Sequence, residues 1–154
     1  MFKAEENIAI TSSPEIVYGV LVDLERYREW NPWVVNANGK AIEGQNVTVT
    51  GILNGKKGQY DHKILSCNRP HHFHWCDLGW FTLFIDGQRE RWIEETKEGN
   101  SQFKVELRVK GPLAWLAAII YGKAMRQGLK AETEALKVRC ETFAQENHSK
   151  GSQN

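Results

Sequence analysis

The chain predicts an α+β fold: a curved antiparallel sheet of about seven strands wrapped around a long C-terminal helix, with two short helices between the first and second strands. Three observations point to it. Between residues 33 and 110, alternating apolar and polar positions recur in short segments separated by turn residues. After Gly111 the spacing turns helical, placing Met125, Leu129, Leu136, Cys140 and Phe143 on one stripe, with Glu132 or Thr133 filling the remaining step. Ahead of both, one alternating stretch leads into two short helical signals that stop at Asn31-Pro32.

In chain order, residues 3–11 set Ala4, Ile8 and Ile10 against Lys3, Glu5 and Asn7, a first strand. Ser13-Pro14-Glu15 starts a helix: Ser13 caps it, Pro14 suits its first position, and Glu15 favours the positive end of its dipole. Val17, Val20, Leu21 and Leu24 supply its apolar face, and Asp23 recaps a second helix over 24–30. Asn31-Pro32 ends it, because the residue before proline is pushed out of helical geometry. Strands are then predicted over 33–42, 46–53, 58–66, 71–77, 88–95 and 101–110, with turn signals at Gly39, Glu43-Gly44, Asn54-Gly55, Asn68-Arg69-Pro70, Asp86-Gly87 and Glu98-Gly99-Asn100. Spacers this short make neighbouring strands antiparallel, a meander.

The last segment divides into an apolar run, Leu113 to Tyr121, and an amphipathic helix with Arg126, Lys130, Glu134, Lys137 and Glu141 on its solvated face. Gly122 is read as a joint between the two parts, since glycine costs a helix ~1 kcal/mol. Gly128 is read as a point where helix and ligand approach closely. Residues 1–146 form one domain, and the polar residues 147–154 are expected to be disordered.

At 154 residues the chain can bury a core without disulfides or metal. Lys and Arg number 20 against 19 Asp and Glu, which excludes a global field for nucleic acid or an acidic membrane, and no local basic patch is indicated. The apolar run at 113–121 is about half the ~20 residues a spanning helix needs. Cys67, Cys76 and Cys140 are widely spaced with no CxxC, so they read as reduced thiols of a cytoplasmic protein. Six Trp, six Phe and four Tyr in a chain only 41% hydrophobic leave aromatic surface to arrange around something.

With these elements in place the chain resembles the START-like or SRPBCC superfamily (the Bet v 1-type helix-grip fold), in particular its polyketide cyclase/dehydrase and lipid-transport branch. The resemblance runs through Ser13-Pro14-Glu15-Ile16-Val17-Tyr18, then Val22-Asp23-Leu24-Glu25-Arg26-Tyr27-Arg28-Glu29-Trp30-Asn31-Pro32-Trp33. It continues at Gly39, Phe73-His74-Trp75, Phe84-Ile85-Asp86-Gly87 and Gly111-Pro112-Leu113, and closes on the segment from Ala135 to Glu141. It covers residues 3 to about 145 and implies a fold, not a reaction, because the superfamily includes cyclases, lipid carriers, hormone receptors and chaperone partners.

Several residues bear on chemistry. His72, His74 and Cys76 share one strand face, but the outer two lie ~13 Å apart along the backbone, too far to converge on one ion. They read as surface groups, and neither a metal nor a cofactor is expected. No Gly-x-Ser-x-Gly and no phosphate-cradling glycine cluster is present. Relatives in the cyclase-like branch commonly carry a His and then an aromatic where this chain has Arg89 and Arg91, so no inherited catalytic histidine is expected there. Two registers of that strand stay open. In one, Arg89, Arg91 and Ile93 face the cavity, with Asp77 and Glu132 as partners; in the other, Trp92 is buried and both arginines are solvated.

A curved sheet gripping one helix leaves a cavity wherever side chains do not fill the space. The chain is therefore expected to bind a small hydrophobic or amphipathic ligand, lipid- or polyketide-like, with cyclase or dehydratase chemistry as an extension. Tyr60 and His62 are candidates for polar positioning or proton transfer, and Arg89 for holding an acidic head group. Trp33, Phe73, Trp75, Phe84, Arg91, Trp115, Met125 and Leu129 complete the candidate ligand site. The apolar segment Leu78 to Ile85 reads as a flap over the entrance, or else as core. The alternative function is a non-enzymatic module that docks a protein or membrane through these mouth segments. No nucleic acid partner is expected, and the chain is read as a monomer or weak homodimer.

Overall fold

Short turns dictate the topology. In the computed structural model, which describes residues 1–152, the strands are β1 (Phe2–Ile10), β2 (Val34–Asn38), β3 (Asn46–Leu53), β4 (Lys56–Asn68), β5 (His72–Leu78), β6 (Asp86–Glu95) and β7 (Ser101–Lys110). The helices are α1 (Pro14–Val22), α2 (Tyr27–Trp30) and α3 (Ala114–Gly151). Two 3-10 turns, Leu24–Arg26 and Trp80–Leu83, precede α2 and β6. The sheet runs β1-β7-β6-β5-β4-β3-β2, an antiparallel meander whose last strand takes back the first. Register shifts at Val34/Asn36 and Ile64/Ser66 interrupt the ladders, and irregularities of this kind bend strands and deepen twist. The sheet curls around α3 accordingly.

Local signals act as their chemistry requires. Ser13 Oγ accepts from the Ile16 N–H at 3.4 Å, and Pro14 opens α1. Asp23 sits at the start of the next turn without capping it, held instead by an ion pair to Arg26 at 3.4 Å. Asn54 and Gly55 both take positive φ, 50° and 74°, the tight hairpin that Asn-Gly favours. Gly111, at φ 108°, leaves β7 with its backbone against the Phe84 carbonyl, where a Cβ would lie 2.3 Å from that oxygen.

Helix α3 buries Met125, Leu129, Leu136 and Cys140 as its spacing predicts, and buries both Glu132 and Thr133. Two expectations for its glycines need correction. Gly122 does not interrupt the helix; it lets the Phe2 ring approach to within 3.2 Å of where a Cβ would be. Gly128 faces the Trp33 indole at 2.5 Å on the same measure, so the closely approaching group is a side chain of the protein. Lys137 and Glu141 reach back to the end of β1, bonding the Ala9 carbonyl at 2.8 Å and the Thr11 N–H at 3.0 Å. The helix continues through 147–151, where the sequence suggests disorder, and residues 153–154 of that tail lie outside the described part. Among the described residues no helix is long and apolar enough to cross a membrane, and all three cysteines are free.

Candidate functional site

The concave face of the sheet and α3 enclose a cavity of about 590 Å³. Strand alternation decides what faces it. On β4, Tyr60 and His62 point in; on β5, Trp75 and Asp77; on β6, Arg89; on β7, Leu107 and Val109. Trp33 closes one wall, Met125 of α3 forms the roof, and Phe81, Ile85, Ile120 and Tyr121 narrow the mouth beside Lys56 and Lys57 of the β3–β4 hairpin.

The open question of β6 register is settled by burial: Arg89, Arg91 and Ile93 are 8%, 1% and 2% exposed. Trp92 lies on the outer face under Lys104, whose Nζ is 5.5 Å from the ring. The two inward guanidiniums share one carboxylate. Arg89 Nη1 donates to Glu132 Oε2 at 2.8 Å, while Arg91 Nη2 stands 3.9 Å from Glu132 Oε1. Asn31 completes the cluster: its Nδ2 donates to Glu132 at 2.8 Å, and its Oδ1 accepts from the Trp33 and Val34 N–H groups. Arg89 lies over the Trp33 ring at 4.1 Å and Arg91 over Trp75 at 4.5 Å, cation–π contacts that partly replace lost hydration.

This compensation is incomplete. Burial pulls the Arg91 guanidinium down from the ordinary arginine range to about 10, with Arg89 adding repulsion against the help of Tyr27 and Glu132. Its terminal nitrogens have no acceptor, and neither does the buried Nε of Arg89. Two cations facing one carboxylate leave excess positive charge at the floor of the cavity.

A second polar pair stands on the wall. His62 Nε2 is 3.0 Å from Asp77 Oδ1, and Asp77 Oδ2 accepts the Gly87 N–H at 3.0 Å. Gly87 leaves room for this approach, because a Cβ there would meet that carboxylate. His62 Nδ1 is buried without a partner, and the ring tilts against Trp75 at 5.1 Å. The Tyr60 hydroxyl is pushed upward, chiefly by burial and then by Tyr121 and Asp77, so it stays protonated and able to donate.

The structure brings Trp33, Tyr60, His62, Trp75, Arg89 and Met125 to the cavity surface. It does not bring the other candidates there. Phe73, Arg91 and Leu129 are packed in the core behind it, the two β-strand residues because they form the next same-face pair beside Trp75 and Arg89 on the β5–β6 ladder. Phe84 and Trp115, 44% and 59% exposed, turn outward because short apolar runs placed one side of each segment inward and the other out. Asp77, expected beside the arginines, faces His62 instead, its direct partner across the β4–β5 ladder. Strand alternation from Trp75 would have found Asp77; nothing in the sequence marks Phe81 over Trp80. On the outer face, His72 bonds Ser66 Oγ at 2.9 Å and Glu90 at 2.8 Å. Among the described residues no group of three His, Cys, Asp or Glu is placed to hold a metal ion.

Comparison with known proteins agrees with this architecture. A family model described as polyketide cyclase / dehydrase and lipid transport matches residues 1–141. No curated protein matches the sequence significantly. Among solved structures, a START superfamily protein from Mycobacterium smegmatis is 15% identical with TM-score 0.69, covering 92% of this chain and 98% of its own. A hypothetical protein from Helicobacter pylori is 10% identical with TM-score 0.74, covering 90% and 88%. A protein from Chromobacterium violaceum is 14% identical with TM-score 0.72, covering 90% and 96%. At these identities the likeness is one of fold.

Proposed function

The chain belongs to the polyketide cyclase / dehydrase and lipid transport family, and from that premise we propose that it binds a small amphipathic molecule, an apolar body bearing an acidic group, in the cavity under α3. The observation that carries this reading is Arg89: a guanidinium of a cavity-lining residue, held at Nη1 by the one carboxylate it shares with Arg91. Unpaired buried charge is costly, and an anionic group on the ligand relieves that cost. The walls of Trp33, Trp75, Leu107, Val109 and Met125 suit a hydrocarbon or fused-ring body, and about 590 Å³ is within the ordinary range for small-molecule sites.

Native mass spectrometry of the purified full chain tests the reading directly, looking for a retained small molecule. Titration with a fluorescent fatty acid and its methyl ester adds the charge. The acid is expected to bind at least about tenfold more tightly than the ester, since charge-assisted hydrogen bonds are worth about 1.5–3 kcal/mol, and Arg89→Gln is expected to abolish that preference. Failure of both probes to bind, with no retained molecule, refutes the proposal.

The His62–Asp77 contact favours a second reading, proton transfer on the bound molecule. Asp77 orients the ring, His62 exchanges a proton with substrate, and Tyr60 donates to a substrate oxygen, in a pocket whose shape folds a reactive chain as a cyclase or dehydratase requires. Under this reading, turnover of a model β-polyketone falls on His62→Gln while ligand affinity is retained. Equal turnover by parent and variant removes it.

A further inference from the structure

Trp80, Leu83, Ile119 and Trp115 are 79%, 76%, 72% and 59% exposed, and none of them lines the cavity. They sit on two segments in contact. The Leu113 N–H donates to the Phe84 carbonyl at 3.1 Å, and the Trp80 and Phe84 rings meet edge to face at 6.3 Å. Each segment also has an inner side: Phe81 and Ile85 on one, Ile120 and Tyr121 on the other, all at the cavity mouth. The β3–β4 hairpin completes the rim, its Asn54 Nδ2 donating to the Ile120 carbonyl at 3.3 Å. The residues that frame the entrance are therefore continuous with an uncovered apolar surface around it.

Positive charge predominates on that rim, where Asp86 is the acidic neighbour. Lys56 and Lys57 on the hairpin, Lys110 at the end of β7 and Lys123 on α3 are all exposed. The lysine ion pairs among the described residues lie elsewhere, at Lys3, Lys104, Lys130 and Lys137. Asp86, opposite Lys110 across the β6–β7 ladder, accepts from Gln88 Nε2 at 3.0 Å. The chain's net charge of only +1 conceals this local cluster.

We propose that the cavity rim is a docking surface for an anionic lipid bilayer. Trp80, Leu83, Trp115 and Ile119 enter the boundary between headgroups and acyl chains, and the four lysines meet lipid phosphates. Indoles favour that boundary because one edge is apolar and the other can donate. Lysine is the cation depleted from protein–protein interfaces, whereas lysines flanking exposed apolar side chains characterise interfacial binding. The combination on this rim fits a bilayer better than a protein partner. The inference goes beyond ligand binding and is tested without knowing the ligand.

The test is co-sedimentation of the full chain with phosphatidylcholine vesicles and with mixed phosphatidylcholine–phosphatidylglycerol vesicles, at low and high salt. Binding is expected to the mixed vesicles, to weaken with salt, and to be far weaker to phosphatidylcholine alone. Lys110→Glu/Lys123→Glu is expected to lower affinity by about tenfold or more, each lysine near an anionic surface being worth roughly fivefold. Trp80→Ser/Ile119→Ser is expected to do the same through lost insertion. Both pairs avoid cavity-lining residues, so unchanged melting and unchanged uptake of a fluorescent fatty acid verify that the variants are folded. Docking by a parent chain that takes up no probe supports this proposal while defeating the cavity reading. The proposal is overturned if the parent ignores the mixed vesicles, if both variants bind as the parent does, or if sedimentation velocity finds a dimer that Trp80→Ser/Ile119→Ser splits.

Discussion

Arg91→Met is expected to stabilise the protein, although it deletes a fully buried side chain. The magnitude follows from the site. Arg91 keeps its proton in the core only at the expense of a fall of more than two pH units, to about 10. At ~1.4 kcal/mol per pH unit, holding that charge in the folded chain costs on the order of 3 kcal/mol. Methionine removes the charge and fills much of the same space. Lost with arginine are cation–π contacts to Trp75 at 4.5 Å and Phe73 at 5.1 Å, about 1–2 kcal/mol in a desolvated setting. Glu132 keeps its 2.8 Å bond to Arg89, so no carboxylate is orphaned. The balance is a gain of about 1–2 kcal/mol, or roughly 2–8 °C in Tm for a domain of this size. Chemical denaturation of parent and variant across alkaline pH checks the cause. Because the folded-state value is the depressed one, the unfolded chain binds more protons above about pH 10, and the parent's penalty shrinks as pH rises from there toward the ordinary arginine range. The gap between the two proteins should therefore be constant up to about pH 10 and narrow above it. A variant less stable than the parent at pH 7 refutes the reasoning.

Removing the other partner should do the reverse. Glu132→Gln leaves two buried guanidiniums without a counter-charge and is expected to cost about 3–5 kcal/mol in a urea melt; a loss under about 1 kcal/mol shows that the arginines are compensated by something else. The two helical glycines of α3 should part company. Gly128→Ala, whose Cβ would lie 2.5 Å from the Trp33 ring, is expected to lower stability by about 1–3 kcal/mol despite alanine's better helix propensity. Gly122→Ala meets only the edge of the Phe2 ring at 3.2 Å, and thermal melts should find it neutral or up to ~1 kcal/mol more stable.

The fold was legible because its signals are local. Ser13-Pro14, Asn31-Pro32 and Asn54-Gly55 each constrain one or two dihedral angles, and they mark a helix start, a helix stop and a hairpin without reference to anything distant. The site was legible only where alternation was unopposed, as at Tyr60, His62 and Trp75. On β6 it was opposed: pattern alone slightly favoured Trp92 for the interior, and only the family resemblance favoured the arginines. What decides is Glu132, supplied from α3 some 43 residues away, a partnership that no window along the strand contains. The run from Leu113 to Tyr121 failed for a related reason. It is apolar on every side, so periodicity cannot say that Ile120 faces the cavity while Trp115 and Ile119 face out.

The polar cluster is a poor way to hold a core together, which bears on why it is there. Asn31 uses both ends of its side chain to tie Glu132 to the turn entering β2, and Glu132 in turn fixes Arg89 at the cavity surface. Apolar residues of similar volume would pack the same space at lower cost. A chain that keeps an undercompensated cation beside a cavity, and bare indoles next to the residues at its mouth, departs from the stability optimum at two places. Departures of this kind are expected where a ligand or surface supplies the missing contacts. Under the proposed reading, an amphipathic acid would seat head inward toward Arg89, leaving its apolar end nearest the rim.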